Sequence, residues 1–336
     1  MEKLYVEEPV SAGIILSYKC TSECKHCMYA CSPRWKPDWI SENDLQIILT
    51  QLSESIQPSP LGRNRIGVNY GLHLTGGEPS LNFELLVKAI EIAEELRIPS
   101  TFVETNSFWC IHDEGVREKF KRLRDAGLDG LLISVNPFIL DQVPFERTRR
   151  AIRIGREIFG QSALVYQEVF QDQFERLNIK GSLPFGAYLQ AEPNGLTHAE
   201  LLPMGRAVYR LGHLYRKHPA KEFFGESCRE ELTRGWHVHI DNYCNYMTGY
   251  CGGISLGDGR DIRSILQGID LSGQQILSAL VTDLKNLLLF GVQQFGYEER
   301  EGYISKCHLC LDARTHIAQK TDEFKELIPR EFYYRL

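Results

Sequence analysis

Cys20, Cys24 and Cys27 stand in the run Cys20-Thr-Ser-Glu-Cys24-Lys-His-Cys27, just after the β-like stretch Gly13-Ile-Ile-Leu-Ser-Tyr18. The three cysteines therefore sit in a loop at a strand end. Three thiolates at this spacing can hold three irons of a [4Fe–4S] cube and leave the fourth iron open to a small molecule. A zinc knuckle is the competing chemistry. Zinc takes four ligands, and His26 and Cys31 are close enough in sequence to complete such a set.

A second motif follows one strand later. Residues 71–80 read Gly-Leu-His-Leu-Thr-Gly76-Gly77-Glu78-Pro79-Ser, a short strand closing in a turn, followed by the helical pattern Leu81–Leu96. Gly76 and Gly77 permit close approach of a ligand to the backbone. Glu78 offers an acceptor to a ligand ammonium. Cys-x-x-x-Cys-x-x-Cys after one strand and Gly-Gly-Glu-Pro after the next make this chain resemble the radical S-adenosylmethionine (SAM) superfamily. The resemblance implies a SAM-binding [4Fe–4S] cluster on Cys20, Cys24 and Cys27, with SAM held beside Gly76, Gly77 and Glu78.

Further polar groups close the later strands: Glu104 and Asn106 after the third, Ser134 and Asn136 after the fourth, Gln167 and Glu168 after the fifth. The resemblance implies that such groups meet the SAM carboxylate or ribose. Ser134 is the leading candidate, then Asn106 and Glu104, while Glu168 is expected to face substrate as a catalytic residue. Each has a plainer reading as a helix cap or turn residue. Met204, in Leu201-Leu-Pro-Met204-Gly205-Arg206-Ala207, is expected beside the adenine by the same resemblance. Arg34, Trp35 and Trp39, in the loop after the triad, are substrate-contact candidates or a packed surface loop.

The other cysteines divide in two. Cys228, Cys251, Cys307 and Cys310 resemble the abbreviated ("twitch") form of the SPASM domain, which implies an auxiliary [4Fe–4S] cluster. The full SPASM domain needs more cysteines than are present. Cys244 falls where a turn glycine is expected and is a competing ligand. Zinc and free thiols remain alternatives. Cys31 and Cys110 read as ordinary buried thiols.

These residues need elements to position them. Strand and helix patterns alternate from residue 13 to about 218. Expected strands are 13–17, 71–74, 100–104, 130–135, 163–168 and 198–202. Expected helices are 41–56, 81–96, 113–126, 147–159, 172–178 and 204–217. Such alternation demands a parallel sheet with outer helices, and the resemblance specifies a partial (β/α)6 TIM-like barrel. Ser41 and Asp44 have capping-box spacing. A small α+β domain follows, with a hairpin near 236–247 and a long helix near 274–290. The expected boundary divides 1–218 from 219–336.

Composition is that of an ordinary globular chain: 336 residues, 43% hydrophobic, 24% charged, net charge −6. The acidic balance argues against nucleic acid as a partner, and no apolar run reaches the roughly 20 residues that span a bilayer. Ten cysteines without a signal peptide suggest metal binding in a reducing cytoplasm. Arg147, Arg149, Arg150, Arg153 and Arg156 read as the solvated face of a helix.

The expected activity is reductive cleavage of SAM and hydrogen abstraction from a substrate, with flavodoxin or ferredoxin as the kind of electron donor. A peptide is the first substrate class and a small metabolite or cofactor precursor the second. With only about a dozen residues before the first strand, no leader-binding domain is expected there. That weakens the peptide reading. A non-catalytic iron–sulfur or zinc scaffold is the alternative of another class.

Overall fold

The computed structural model describes residues 2–197 and 199–336. The chain divides into two compact units. One comprises Val10–Cys24 and Cys31–Leu201; the other comprises the residues up to Pro9, Lys25–Ala30 and Leu202–Leu336.

The first unit is built on five parallel strands, Ser11–Ile15, Gly71–Thr75, Phe102–Thr105, Gly130–Ser134 and Ala163–Tyr166. Each pairs with the next in sequence, starting with Ser11 opposite Gly71. The first, second and fourth are buried throughout. This is what a sheet covered on both faces requires, and it explains the nearly continuous apolar runs. Helices return the chain between strands: Glu42–Leu52, Phe83–Glu95, Asp113–Asp125 and Phe145–Phe159. The α/β class with a parallel, partial-barrel sheet is as expected.

Local chemistry sets the helix ends. Ser41 Oγ accepts from Asp44 N and donates to Asp44 Oδ2, so the expected capping pair forms through the hydroxyl. The Phe145–Phe159 helix presents Thr148, Ala151, Ile152 and Gly155 inward. Gly155 lets the helix lie close to the sheet. A Cβ would stand only 3.3 Å from Leu131 Cδ1 and 3.4 Å from Ala163 Cβ on the sheet. The arginines on its other side bind acids and carbonyls: Arg150 and Arg153 share Asp113, and Arg156 pairs with Glu168.

Three expectations change. The sixth strand does not form among the described residues. His198 lies outside them, and residues 199–202 carry no strand. Gln167 takes the place of a neighbouring strand: its amide donates to Glu200 O at 3.1 Å and accepts from Glu200 N at 3.0 Å. The expected helix at 204–217 shrinks to Ala207–Arg210 and a single turn at Gly212–Leu214. The long helix near 274–290 breaks into Gln275–Thr282 and Leu284–Phe295. Asp283 is extended at the break (φ −163°, ψ 128°) and caps the second helix by accepting from Lys285 N. Its Oδ1 also accepts from Gly225 N at 3.0 Å.

The second unit holds the expected hairpin as Val238–Ile240 and Tyr246–Met247, with Cys244 in its turn. It also holds the helix Lys306–Lys320, capped by Ser305. Among the described residues, no helix is long and apolar enough to cross a membrane.

Replacing Asp283 by Ala removes a helix cap and leaves Gly225 N without its acceptor. The loss should be about 1–2 kcal/mol, read as a lower urea midpoint with an unchanged slope.

Candidate active site

The site begins with a close approach of two backbones. Gly77 N donates to Ser17 O at 2.8 Å and Glu78 N to Lys19 O at 3.0 Å. A Cβ on Gly77 would stand 2.1 Å from Lys19 O and 2.8 Å from Cys20 N. A Cβ on Gly76, at φ +145°, would stand 2.5 Å from Ser17 O. The glycines are therefore needed to bring the turn against the start of the cysteine loop.

Glu78 is 1% exposed. It accepts from Ser80 Oγ at 2.6 Å, Asn106 N at 2.8 Å and Thr105 Oγ1 at 3.0 Å. Burial pushes its carboxyl up, against the pull of these donors. Both its oxygens accept from the chain, so it fastens the second strand end to the third. Asn106 is then aimed at the loop. Its Nδ2 donates to Thr21 Oγ1 at 3.2 Å and lies 3.7 Å from Cys20 Sγ, a hydrogen bond to sulfur. Ser22 N adds another at 3.4 Å. Two donors on one sulfur suit a thiolate that ligates iron, and such bonds help to set cluster potential.

A second network crosses the strand ends. Glu104 accepts from Ser134 Oγ at 2.7 Å and Thr75 Oγ1 at 3.2 Å, and its Oε2 lies 3.3 Å from His73 Nε2. Burial alone would raise the Glu104 carboxyl. The His73 hydrogen bond and charge, with the two hydroxyls, outweigh it and hold the group at about 2. Glu104 and Ser134 thus meet as one polar row, and sequence reasoning missed its other half. His73 and Thr75 are two apart on a strand and share a face; that period was the available signal.

Other expected residues lie elsewhere. Glu168 opens the helix Glu168–Arg176, with a side chain 67% exposed and paired with Arg156. The strand ends at Tyr166 and Gln167 turns the chain at φ +62°, which swings Glu168 out to the surface. Trp35 is buried and stacks on Tyr18, centroids 4.4 Å apart. Lys19 Nζ reaches its carbonyl at 3.0 Å, so Trp35 is a core residue. Arg34 pairs with Glu23, and Trp39 is half-buried. Cys31 and Cys110 are both buried.

In the second unit, Cys27 O accepts from Arg206 N at 3.0 Å. Gly205, at φ +55°, has its Cβ position 2.4 Å from Met28 O. The backbone beside Met204 thus packs on the Cys27–Met28 segment. This unit also gathers Cys228, Cys251, Cys307 and Cys310. Burial, then the charges of Cys310, Cys251 and Cys307, pushes the Cys228 thiol up. Burial carries Cys251 to about 11, although Arg314 pulls the other way. It carries Cys307 to about 12, with Cys251 and Cys310 adding to the rise. Thiols crowded in this way lose their protons together only when a metal takes up the charge. The donor set therefore fits a cluster. Cys244 is not among the groups acting most strongly on Cys228. It sits at φ +63° in the hairpin turn and borders a separate cavity with Tyr243, Ser255 and Asp258.

Two tests follow from the first unit. Gly77→Ala must force the turn off the loop, so it should cost about 1–3 kcal/mol and lower iron retention at Cys20; native-like stability and iron content would contradict the close approach. Glu104 supplies a pH test. Its folded-state value is depressed, so its stabilisation is complete above the ordinary glutamate value near 4.3 and is lost as pH falls toward about 2. Glu104→Gln should flatten the acid limb of the unfolding profile in that window and leave its neutral-to-alkaline limb unchanged.

Comparison with known proteins follows the same lines. Residues 14–156 match the family model described as the radical SAM superfamily. Among solved structures, BtrN in complex with AdoMet and 2-DOIA is 12% identical, with a TM-score of 0.42 over 82% of this chain and 88% of that one. Native anSMEcpe with bound AdoMet is 11% identical, with a TM-score of 0.44 over 77% of this chain and 81% of that one. Streptococcus suis SuiB bound to precursor peptide SuiA is 15% identical, with a TM-score of 0.32 over 71% of this chain and 59% of SuiB. The Cys20/Cys24/Cys27 loop and the Gly-Gly-Glu-Pro turn both lie inside the segment that matches the radical SAM superfamily model.

Proposed function

We propose that this protein is a radical SAM enzyme whose Cys20, Cys24 and Cys27 hold the SAM-binding [4Fe–4S] cluster, with a second cluster on Cys228, Cys251, Cys307 and Cys310. The observation that carries the reading is the clasp on Cys20: the Gly76–Glu78 turn against its backbone and the Asn106 amide on its sulfur. When bound, the N-terminal cluster supplies one electron that cleaves SAM and releases a 5′-deoxyadenosyl radical able to take a hydrogen atom from an unreactive C–H bond.

The chain's own residues do the rest. Gly76 and Gly77 hold the loop start close to the second strand. Glu78 fixes the second and third strand ends, and Asn106 orients the Cys20 sulfur. Glu104, Ser134, Thr75 and His73 present a polar row at the strand ends where ligands of such folds gather. Glu104 stays ionised at neutral pH and can accept from a hydroxyl or ammonium. A peptide is the substrate class we propose, because the four later cysteines resemble the twitch arrangement. An electron carrier of the flavodoxin or ferredoxin type would feed the N-terminal cluster.

Anaerobically reconstituted protein with a strong one-electron reductant should convert SAM to 5′-deoxyadenosine and methionine. Changing Cys20, Cys24 and Cys27 together to Ala should abolish that yield. It should also keep about half of the roughly eight irons that two cubanes bring. An unchanged 5′-deoxyadenosine yield would sink the SAM-cleavage assignment. Complete loss of iron, with zinc in the parent protein, would sink the second cluster.

A further inference from the structure

Arg314 is buried at 4% exposure, one helical turn after Cys310 on the Lys306–Lys320 helix. Its Nε donates to Cys310 Sγ at 3.3 Å. Its Nη1 donates to Gly252 O at 3.2 Å and Tyr333 Oη at 2.8 Å, and the Tyr333 hydroxyl in turn donates to Gly253 O. The guanidinium carbon stands 5.7 Å from the Tyr333 ring centre. Among the described residues, no carboxylate pairs with it. A buried guanidinium without a counter-ion is costly. Another cation at these cysteines is handled differently: Lys306 is neutralised by Glu231 at 2.6 Å. The negative charge that Arg314 faces must therefore come from the cysteines.

We infer that Arg314 is a positioning residue that serves as the built-in counter-charge of the Cys228/Cys251/Cys307/Cys310 site and raises the reduction potential of the cluster held there. The inference rests on the second-cluster reading above. A reduced cluster carries one more negative charge than an oxidised one, so a fixed neighbouring cation in a low-dielectric setting stabilises the reduced form more. Hydrogen bonding to a ligand sulfur acts in the same direction. Gly252, Gly253 and Tyr333 hold the guanidinium so that its Nε edge meets sulfur. A lysine in its place would keep the charge and lose the fork.

The test uses the full-length chain carrying Cys20→Ala, Cys24→Ala and Cys27→Ala, so that only the later site can report. The midpoint potential is read by electron paramagnetic resonance during a redox titration, alongside iron content and circular dichroism. Arg314→Gln should make reduction about tenfold less favourable, which is about 59 mV for a one-electron couple. Arg314→Lys should recover most of that shift. Loss of iron in Arg314→Gln while Arg314→Lys retains it would also support the counter-charge role. Arg314→Gln with full iron and an unchanged potential would overturn it. So would loss of iron in both variants, which would mean that the shape of the side chain matters and its charge does not. A parent protein without iron would instead remove the second-cluster reading itself, and the inference with it.

Discussion

The contact on which the site depends is a backbone approach that no side chain would allow. Gly76 and Gly77 bring the second strand's turn to within hydrogen-bond distance of Ser17 O and Lys19 O. That contact carries the sheet's parallel pairing past the end of the first strand and into the cysteine loop. It also sets Glu78 where Thr105 and Asn106 can reach it. Asn106 in turn points its amide at Cys20. Two glycines thus transmit the geometry of three strand ends to one sulfur.

Charge is handled by opposite means at neighbouring strand ends. Glu78 is enclosed and its carboxyl is pushed up by burial. Glu104 lies at the next strand end, with a side chain about one third exposed, and His73, Ser134 and Thr75 pull its carboxyl down. The first carboxylate is a structural fastener and the second a site group held ionised. In the other unit the roles are exchanged. Arg314 is the buried charge, and the groups that answer it are thiols. Each arrangement follows the rule that a buried ion persists only with partners.

Much of the first unit was legible in the order of residues. The apolar runs at 71–75 and 130–134 are strands because they are short, fully buried and bounded by turns. The departures share a cause: side chains replacing backbone partners. Gln167 pairs with Glu200 through its amide, so residues 199–202 need no strand. Asp283 caps a new helix and accepts from Gly225, so an apolar 274–290 pattern breaks in the middle. Trp35, in a stretch of prolines and charged residues, turns inward to stack on Tyr18. None of these distant partners is marked by periodicity.

The cysteine spacing and the Gly-Gly-Glu-Pro turn are local patterns, so the sequence by itself determined the family resemblance, the chemistry of the donors and the alternation of strands and helices. Only the tertiary structure decided what the individual groups are for. It set the two glycines in a close backbone contact with the cysteine loop, and it turned Glu168 outward to Arg156. It joined His73 and Thr75 to Glu104 and Ser134, and set Arg314 against Cys310. The reason is physical. A residue's type fixes which bonds it can make, but its partners are fixed by packing among segments up to 62 residues apart, and no local pattern records that.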